Sequence, residues 1–160
     1  MIKKILWMAV LVTGMASCSN KKAAFDYSQD IVAKERSLTE AINKTEDEVE
    51  RFATAQQFDS VAAVATRMEN LVQSKIDDIE KMKVPKAKKA DEFRSAALKY
   101  FKYIKQIYTA YKEVGMASAD DRMKKVEEMQ EIATKKDDAI RDMQTAQRAY
   151  ADANGFKIEK

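Results

Sequence analysis

With 160 residues, of which 46% are hydrophobic and 34% charged, the chain has the size of one domain, and its three glycines and one proline favour helices over strands. The absence of histidine excludes His-based catalytic triads, His-ligated haem, Glu-x-x-His di-iron sites and most zinc sites. The formal charge is +3, and because basic and acidic residues alternate without a one-signed stripe, the sequence does not indicate a nucleic-acid partner.

Residues 1–17 have the parts of an export signal. Lys3 and Lys4 supply a positive start, residues 5–14 are apolar, and two small residues then precede Cys18. The apolar stretch is shorter than the ~20 residues that a membrane-spanning helix needs. We therefore expect residues 1–17 to be a signal peptide that is removed.

The stretch Met15-Ala16-Ser17-Cys18 resembles the lipobox of bacterial lipoproteins, although Met15 stands where that family most often has Leu. The resemblance implies a thioether-linked lipid on Cys18, cleavage before it and acylation of the new amine. Several acyl chains on one residue hold a protein to a membrane far more firmly than one chain does. The alternative is an ordinary secreted protein in which the only cysteine follows the cleavage site.

The residues after Cys18 bear on location. Ser19 stands where Asp would be the usual inner-membrane retention residue, and by analogy this favours the outer membrane. The segment Ser17-Cys18-Ser19-Asn20-Lys21 resembles lipoproteins of Bacteroidetes, whose surface-exposed members often carry acidic residues there. Because Lys21 and Lys22 occupy these positions, we expect a lipid-anchored domain in the cell envelope that faces the periplasm, with surface exposure as the alternative.

Four amphipathic segments follow a short tether at residues 18–26. Their apolar residues recur at spacings of three and four, which is the period of one helix face. The segments run approximately from Tyr27 to Phe52, Asp59 to Met82, Ala90 to Val114 and Ser118 to Ala153.

The ends of these segments carry helix-stop and helix-start residues. Pro85 ends the second segment, and Gly115 is predicted to cap the third. Ser118 with Asp121 resembles a capping box, and Gly155 supplies a second glycine stop.

Such segments can bury their apolar faces only against one another. The sequence therefore predicts an all-α fold. Its expected form is an antiparallel four-helix bundle in up-down-up-down order over residues 27–156, with a fourth helix longer than the rest and a tail at residues 157–160.

Polar residues interrupt the apolar stripes at five positions, which allows two interpretations. One is a buried polar site between helices; the other, which we favour, is that lysine stems reach to solvent and the remaining side chains lie at the stripe margins. The positions are Glu35, Thr45, Lys75, Lys136 and Gln147.

Charged groups outside the stripes suggest no site. Adjacent carboxylates such as Asp77 and Asp78 point about 100° apart on a helix and do not converge on one ion. Lys86, Lys88 and Lys89 form a basic loop that is interpreted as solvated, with contact to anionic headgroups or peptidoglycan as the alternative.

The third segment is rich in aromatic residues, and some lie outside its stripe. Either this helix is the most buried of the four, which we favour, or an aromatic patch is left for a ligand or partner. The candidate surface consists of Tyr100, Phe101, Tyr103, Tyr108 and Tyr111.

The whole chain resembles small all-helical lipoproteins of Bacteroidetes and spirochaetes, a family of unknown function. The resemblance rests on the short tether, the segment Phe58-Asp59-Ser60-Val61-Ala62 and the closing Ala151-Asp152-Ala153-Asn154-Gly155-Phe156. We expect a non-enzymatic envelope lipoprotein that binds a partner protein or envelope component through a helix face. The alternative is a small-molecule or lipid-binding bundle with a pocket under the third helix. No catalytic, cofactor-binding or metal-binding residue is predicted.

Overall fold

The computed structural model describes residues 11–12 and 19–158 and is all-helical apart from one pair of two-residue strands. The helices are α1 (Ser19–Arg36), α2 (Thr39–Thr54), α3 (Phe58–Lys81), α4 (Ala90–Met116), α5 (Ala119–Ala133) and α6 (Lys136–Asn154). Strand β1 (Leu11–Val12) pairs antiparallel with β2 (Lys157–Ile158). The prediction of an all-α fold is confirmed. Cys18 and the lipobox lie outside the described residues, and β1 falls in the segment predicted to be removed.

The first and fourth predicted segments are each divided into two helices by a short break. Ser37 and Leu38 separate α1 from α2, and Thr134 and Lys135 separate α5 from α6. The prediction of one long fourth helix is therefore wrong, and the longest described helix is α4, with 27 residues. At each break a hydroxyl donates to a carbonyl three residues earlier, which satisfies the local backbone without Gly or Pro: Ser37 to Lys34 and Thr134 to Glu131, both at 2.7 Å.

The predicted tether also differs from the structure. Helix α1 begins at Ser19, so residues 19–26 are helical. Ala24 is completely buried, and the Tyr150 hydroxyl donates to its carbonyl oxygen at 3.0 Å. The start of α1 is therefore packed on α6.

Helix α4 lies at the centre of the fold. Its most extensive contacts are with α3, and it also packs on α5 and α6, while α2 packs on α3. Most buried side chains form one large cluster shared by α1, α2, α3, α4 and α6. A second and smaller cluster, Val49, Val61 and Val64, lies at the far end, where α2 ends and α3 begins.

Gly115 lies inside α4 and is buried, so its predicted role as a cap beyond the helix is wrong. A Cβ at this position would lie 2.6 Å from the Ala62 backbone nitrogen and 2.7 Å from the Phe58 carbonyl oxygen. The missing side chain thus allows the first turns of α3 to approach α4 closely. The other two cap predictions are confirmed: the Asp121 amide donates to the Ser118 hydroxyl at 3.1 Å, and Gly155 ends α6 with φ of +70°.

Gly115→Ala is expected to lower the free energy of unfolding by about 1–3 kcal/mol, because the new methyl group meets backbone atoms that cannot rotate away. The gain in helix propensity, about 1 kcal/mol at most, opposes this loss without cancelling it. Urea unfolding measures the difference. Met116→Ala is the control, since Met116 is 72% exposed; a Gly115→Ala variant as stable as the parent would contradict the close approach.

Candidate functional site

The aromatic residues of α4 do not form a common surface. Tyr100, Phe101 and Tyr108 are at most 3% exposed and belong to the core, as the favoured interpretation of this helix expects, so the alternative of a ligand or partner surface is wrong for these three residues. The reason is that helices pack on α4 from several sides, so more than one stripe is covered. Tyr103 and Tyr111 are half-buried but line two different grooves, so these two tyrosines do not share one pocket under the helix.

One of these two grooves, here called the distal groove, is apolar. It has a volume of about 380 Å³ and lies at the end of the molecule where α3 begins and α4 ends. It is bordered by α2 and α5, with α3 and α4 at its base. Its lining residues include Val49, Ala53, Phe58, Val61, Tyr111, Val114, Met123, Val126 and Met129.

The groove is open because α5 is incompletely packed. Of the six described helices, α5 alone contains no fully buried residue. Val126 and Met129 are half-buried, and Met123 is 69% exposed although it stands on the apolar face. Helix α5 packs mainly on α4. Its remaining apolar surface therefore faces the groove.

Arg122 is the charged residue of the distal groove, and its side chain is held by the protein itself. The guanidinium lies 3.6 Å from the centroid of the Phe58 ring and donates to the Ala117 carbonyl oxygen at 2.7 Å. It thereby caps the last carbonyls of α4 and stacks on an aromatic face. The groove consequently presents apolar side chains and the face of a satisfied arginine.

The second groove lies between α4 and α6, and most of the residues that line it are polar or charged. Its volume is about 930 Å³, and Tyr103 lies in its wall. Burial raises the pKa of Tyr103 to about 12. Lys99 pairs with Asp142, and Arg141 with Asp138, both at 2.6 Å. These exposed ion pairs contribute little to stability.

Comparison with protein-family models, curated proteins and solved structures finds no match. Within the described residues, no group of three or more His, Cys, Asp or Glu side chains is placed to hold a metal ion. None of the helices in the described part of the chain is long and apolar enough to cross a membrane.

Three polar residues on the apolar stripes are buried, contrary to the favoured interpretation that they lie at the margins. Glu35, Thr45 and Gln147 are 3%, 8% and 2% exposed. The Tyr100 hydroxyl donates to Glu35 Oε1 at 3.0 Å, whereas Glu35 Oε2 has no hydrogen-bond partner among the described residues. Burial raises the pKa of Glu35 to about 7, although the Tyr100 hydrogen bond and the Arg36 charge act to lower it.

The distal groove was not predicted from the sequence. Its residues stand on regular apolar stripes, as core residues do, and the sequence does not say which stretch of a stripe the neighbouring helices leave uncovered. The one available signal is composition. Methionines occur at the end of α4 and along α5, at the end of the fold where other helices carry valines: Met116, Met123 and Met129.

Proposed function

We propose that the chain is the precursor of a non-enzymatic lipoprotein of the bacterial envelope, which is anchored through Cys18 and binds a partner protein in the distal groove. The observation that carries the proposal is the apolar face of α5, which the rest of the domain leaves uncovered. The anchor, the outer-membrane location and the periplasmic orientation are part of the same proposal and rest on the lipobox-like sequence at residues 15–18.

We also propose that the helices form an antiparallel bundle in up-down-up-down order, with α1–α2 and α5–α6 as its two broken members. Contacts in the first half of α4 support this order for α1. Tyr27 packs on Phe93, and Glu35 meets Tyr100, so α1 runs parallel to α4.

The neighbouring helices run in the opposite direction to α4. Phe93 stacks on Tyr150, whereas Lys99, farther along α4, pairs with Asp142, which lies earlier in α6. Helix α3 shows the same reversal. Arg94, early in α4, donates to the carbonyl oxygen of Ile79, late in α3. Lys112, late in α4, pairs with Glu69, which lies earlier in α3.

The proposed anchor and the distal groove lie at opposite ends of the domain. Helix α1 begins at Ser19, next to Cys18, while α2 ends at Thr54 beside the groove. At 1.5 Å per residue the two helices together span roughly 50 Å. An anchor at Cys18 would therefore hold the groove well away from the membrane surface, where a partner has access to it.

The occupant that fits the distal groove is an amphipathic helix with basic flanking residues. Helix-binding grooves are lined by apolar side chains, and methionine adapts its shape to such a ligand. The two arginines at this end are held over aromatic rings, Arg51 over Phe52 and Arg122 over Phe58. Asp59, Asp120 and Asp121 are exposed there. These aspartates complement basic residues that flank the apolar face of the partner helix.

Photo-crosslinking in the native envelope tests this proposal. A photoreactive amino acid is placed at Ala53, which is exposed and lines the groove. We expect one crosslinked protein, whose crosslinked peptide has an apolar helical face and basic flanks. Met123→Glu is expected to reduce the yield at least about tenfold, because it places a charge in the apolar contact.

Met116→Glu is the matched control. Met116 and Met123 are 72% and 69% exposed, so neither change should disturb folding, but Met116 does not line the groove. A yield that survives Met123→Glu, or that falls equally with Met116→Glu, would contradict the groove as the binding site. The intact mass of the membrane-extracted protein reports the anchor separately, since residues 18–160 plus acyl chains are expected.

A further inference from the structure

Lysines from three separate parts of the sequence meet at the end of the molecule where α1 begins. The loop between α3 and α4 reaches the end of α6, where the Asn154 side-chain amide donates to the Lys88 carbonyl oxygen at 2.9 Å. Lys21 Nζ lies 3.5 Å from the point that a Cβ of Gly155 would occupy. The Phe25 and Phe156 rings pack at 5.8 Å between centroids. The start of α1, this loop and the C-terminal segment therefore form one face.

This face, here called the lysine end, consists of Lys21, Lys22, Lys83, Lys86, Lys88, Lys89 and Lys157. All of them except Lys21 are exposed. Among the described residues, the carboxylates on the same face are fewer: Asp26, which pairs with Lys22 at 2.6 Å, and Asp91, Glu92 and Asp152. The lysine end therefore carries a net positive charge.

The loop between α3 and α4 fixes the direction of its lysines. Val84 and Ala87 pack on the main core cluster, while Lys83, Lys86 and Lys88, which stand next to them in the sequence, are exposed. These three lysines form no ion pair with any other described residue within 4.0 Å. The ammonium groups thus point outward from a loop whose apolar side chains hold it in place.

The charge of the domain is polarised between its two ends. Residues 81–89 contain five lysines and no acidic residue, whereas residues 52–66 and 113–121 at the other end contain no Lys or Arg, although Arg51, Arg67, Lys112 and Arg122 border these ranges. The overall composition does not show this difference between the two ends, because basic and acidic residues alternate along the helices. The lysine end is the end nearest in sequence to Cys18, because α1 begins at Ser19.

We propose that the lysine end binds the anionic phospholipid headgroups of the membrane that holds Cys18, so that the domain has a second membrane contact beside its acyl chains. The inference rests on the proposed anchor, which places this face at the bilayer. Because the helix starts directly after Cys18, the anchor would bring this face toward the headgroups, whose attraction for lysines acts over about one Debye length, ~8 Å. Lysine stems are long enough to reach them, and each lysine near an anionic surface increases binding about fivefold.

Lysine acetylation of the full lipoprotein on vesicles tests the proposal. The protein extracted from membranes is mixed with vesicles of phosphatidylcholine alone or with phosphatidylglycerol added, and flotation and the acetylation rate of each lysine are measured. We expect flotation with both vesicles. Acetylation of Lys86, Lys88 and Lys89 should be severalfold slower on the anionic vesicles, and high salt should abolish the difference. Lys44 and Lys124, which are exposed elsewhere, should react equally on both.

Charge-reversal variants locate the contact. Combined Lys86→Glu, Lys88→Glu and Lys89→Glu should remove the protection of Lys83 and Lys157, whereas reversal of Lys44, Lys124 and Lys135 should leave it intact. Equal acetylation on both vesicles would overturn the lysine-end proposal without contradicting the anchor. Equal protection of all lysines would have the same meaning. Flotation with anionic vesicles only would support the lysine end and overturn the anchor, and flotation with neither would overturn both.

Discussion

Glu35→Gln is expected to stabilise the folded protein by about 3 kcal/mol above neutral pH and to change its stability little in acid. The wild-type protein should lose that amount as the pH rises, because Glu35 must ionise inside the core. The side chain is 3% exposed, and one of its oxygens has no hydrogen-bond partner among the described residues. A glutamine occupies the same volume without a charge and can still accept the Tyr100 hydrogen bond.

The direction of the effect follows from the pKa of Glu35 in the two states. Burial raises its pKa from 4.5 to about 7 in the folded chain. The folded state therefore binds the proton more tightly than the unfolded state, and the full stability is present below pH 4.5. It declines between pH 4.5 and about 7 and stays at the lower value above that range. The chain has no histidine, so no imidazole titrates within the same window.

Ion-paired carboxylates act in the opposite direction and at lower pH. Burial acts to raise the pKa of Glu69, but its hydrogen bonds to Lys112 and Thr109, together with the charges of Lys112 and Lys105, outweigh burial and lower the pKa. The stability that this group contributes is present above its ordinary pKa and is lost as the pH falls further. The two effects are thus separated on the pH axis, and the decline toward neutrality is assigned to Glu35.

Urea unfolding at about pH 5 and about pH 8 measures how much free energy of unfolding each protein loses between the two pH values. Glu131→Gln is the control, since Glu131 is exposed in the last turn of α5 and should leave the pH dependence unchanged. If the Glu35→Gln variant lost as much free energy of unfolding between the two pH values as the wild-type protein, ionisation of Glu35 would not be the cause of the loss.

The regular parts of the fold were predictable because they depend on local spacing. The stripe of α4 from Phe93 to Val114 was recognised from its steps of three and four, and its residues are buried or half-buried as expected. The caps at Ser118 and Gly155 were recognised for the same reason, since each satisfies backbone groups within a few residues. The breaks after α1 and α5 were missed because Ser37 and Thr134 end a helix through their own hydroxyls, without the Gly or Pro that usually marks a boundary.

The features that matter for function depend on which surfaces meet, and this is not encoded in local spacing. Gly115 carries the sequence pattern of a helix cap, yet it marks the place where two helices approach. From the sequence, Lys86, Lys88 and Lys89 are interpreted as a solvated loop, because Lys21 and Lys157 join these lysines only after folding. The distal groove was missed because an uncovered apolar stripe and a covered one have the same sequence.

Tyr150→Ala is expected to lower the free energy of unfolding by about 3–5 kcal/mol, because it empties the centre of an aromatic cluster. Tyr150 is completely buried, stacks on Phe93 at 4.9 Å and meets the edges of the Tyr27 and Phe156 rings. Tyr150→Phe retains the ring and removes only the hydrogen bond to Ala24, so its cost should be about 1 kcal/mol. Arg148→Ala, an exposed change on the same helix, should stay within about 0.5 kcal/mol of the parent.

Hydrogen exchange at residues 19–26 shows whether this cluster also holds the first turns of α1. In the parent protein these amides should be protected, and Tyr150→Phe should increase their exchange more than that of α4, because the lost hydrogen bond ends on Ala24. Exchange at the rate of an unstructured peptide in the parent would mean that residues 19–26 act as a flexible tether. A lipid on Cys18 would then no longer fix the distance between the bilayer and the lysine end. A rigid start of α1 is the physical link by which an anchor at one residue orients the whole domain.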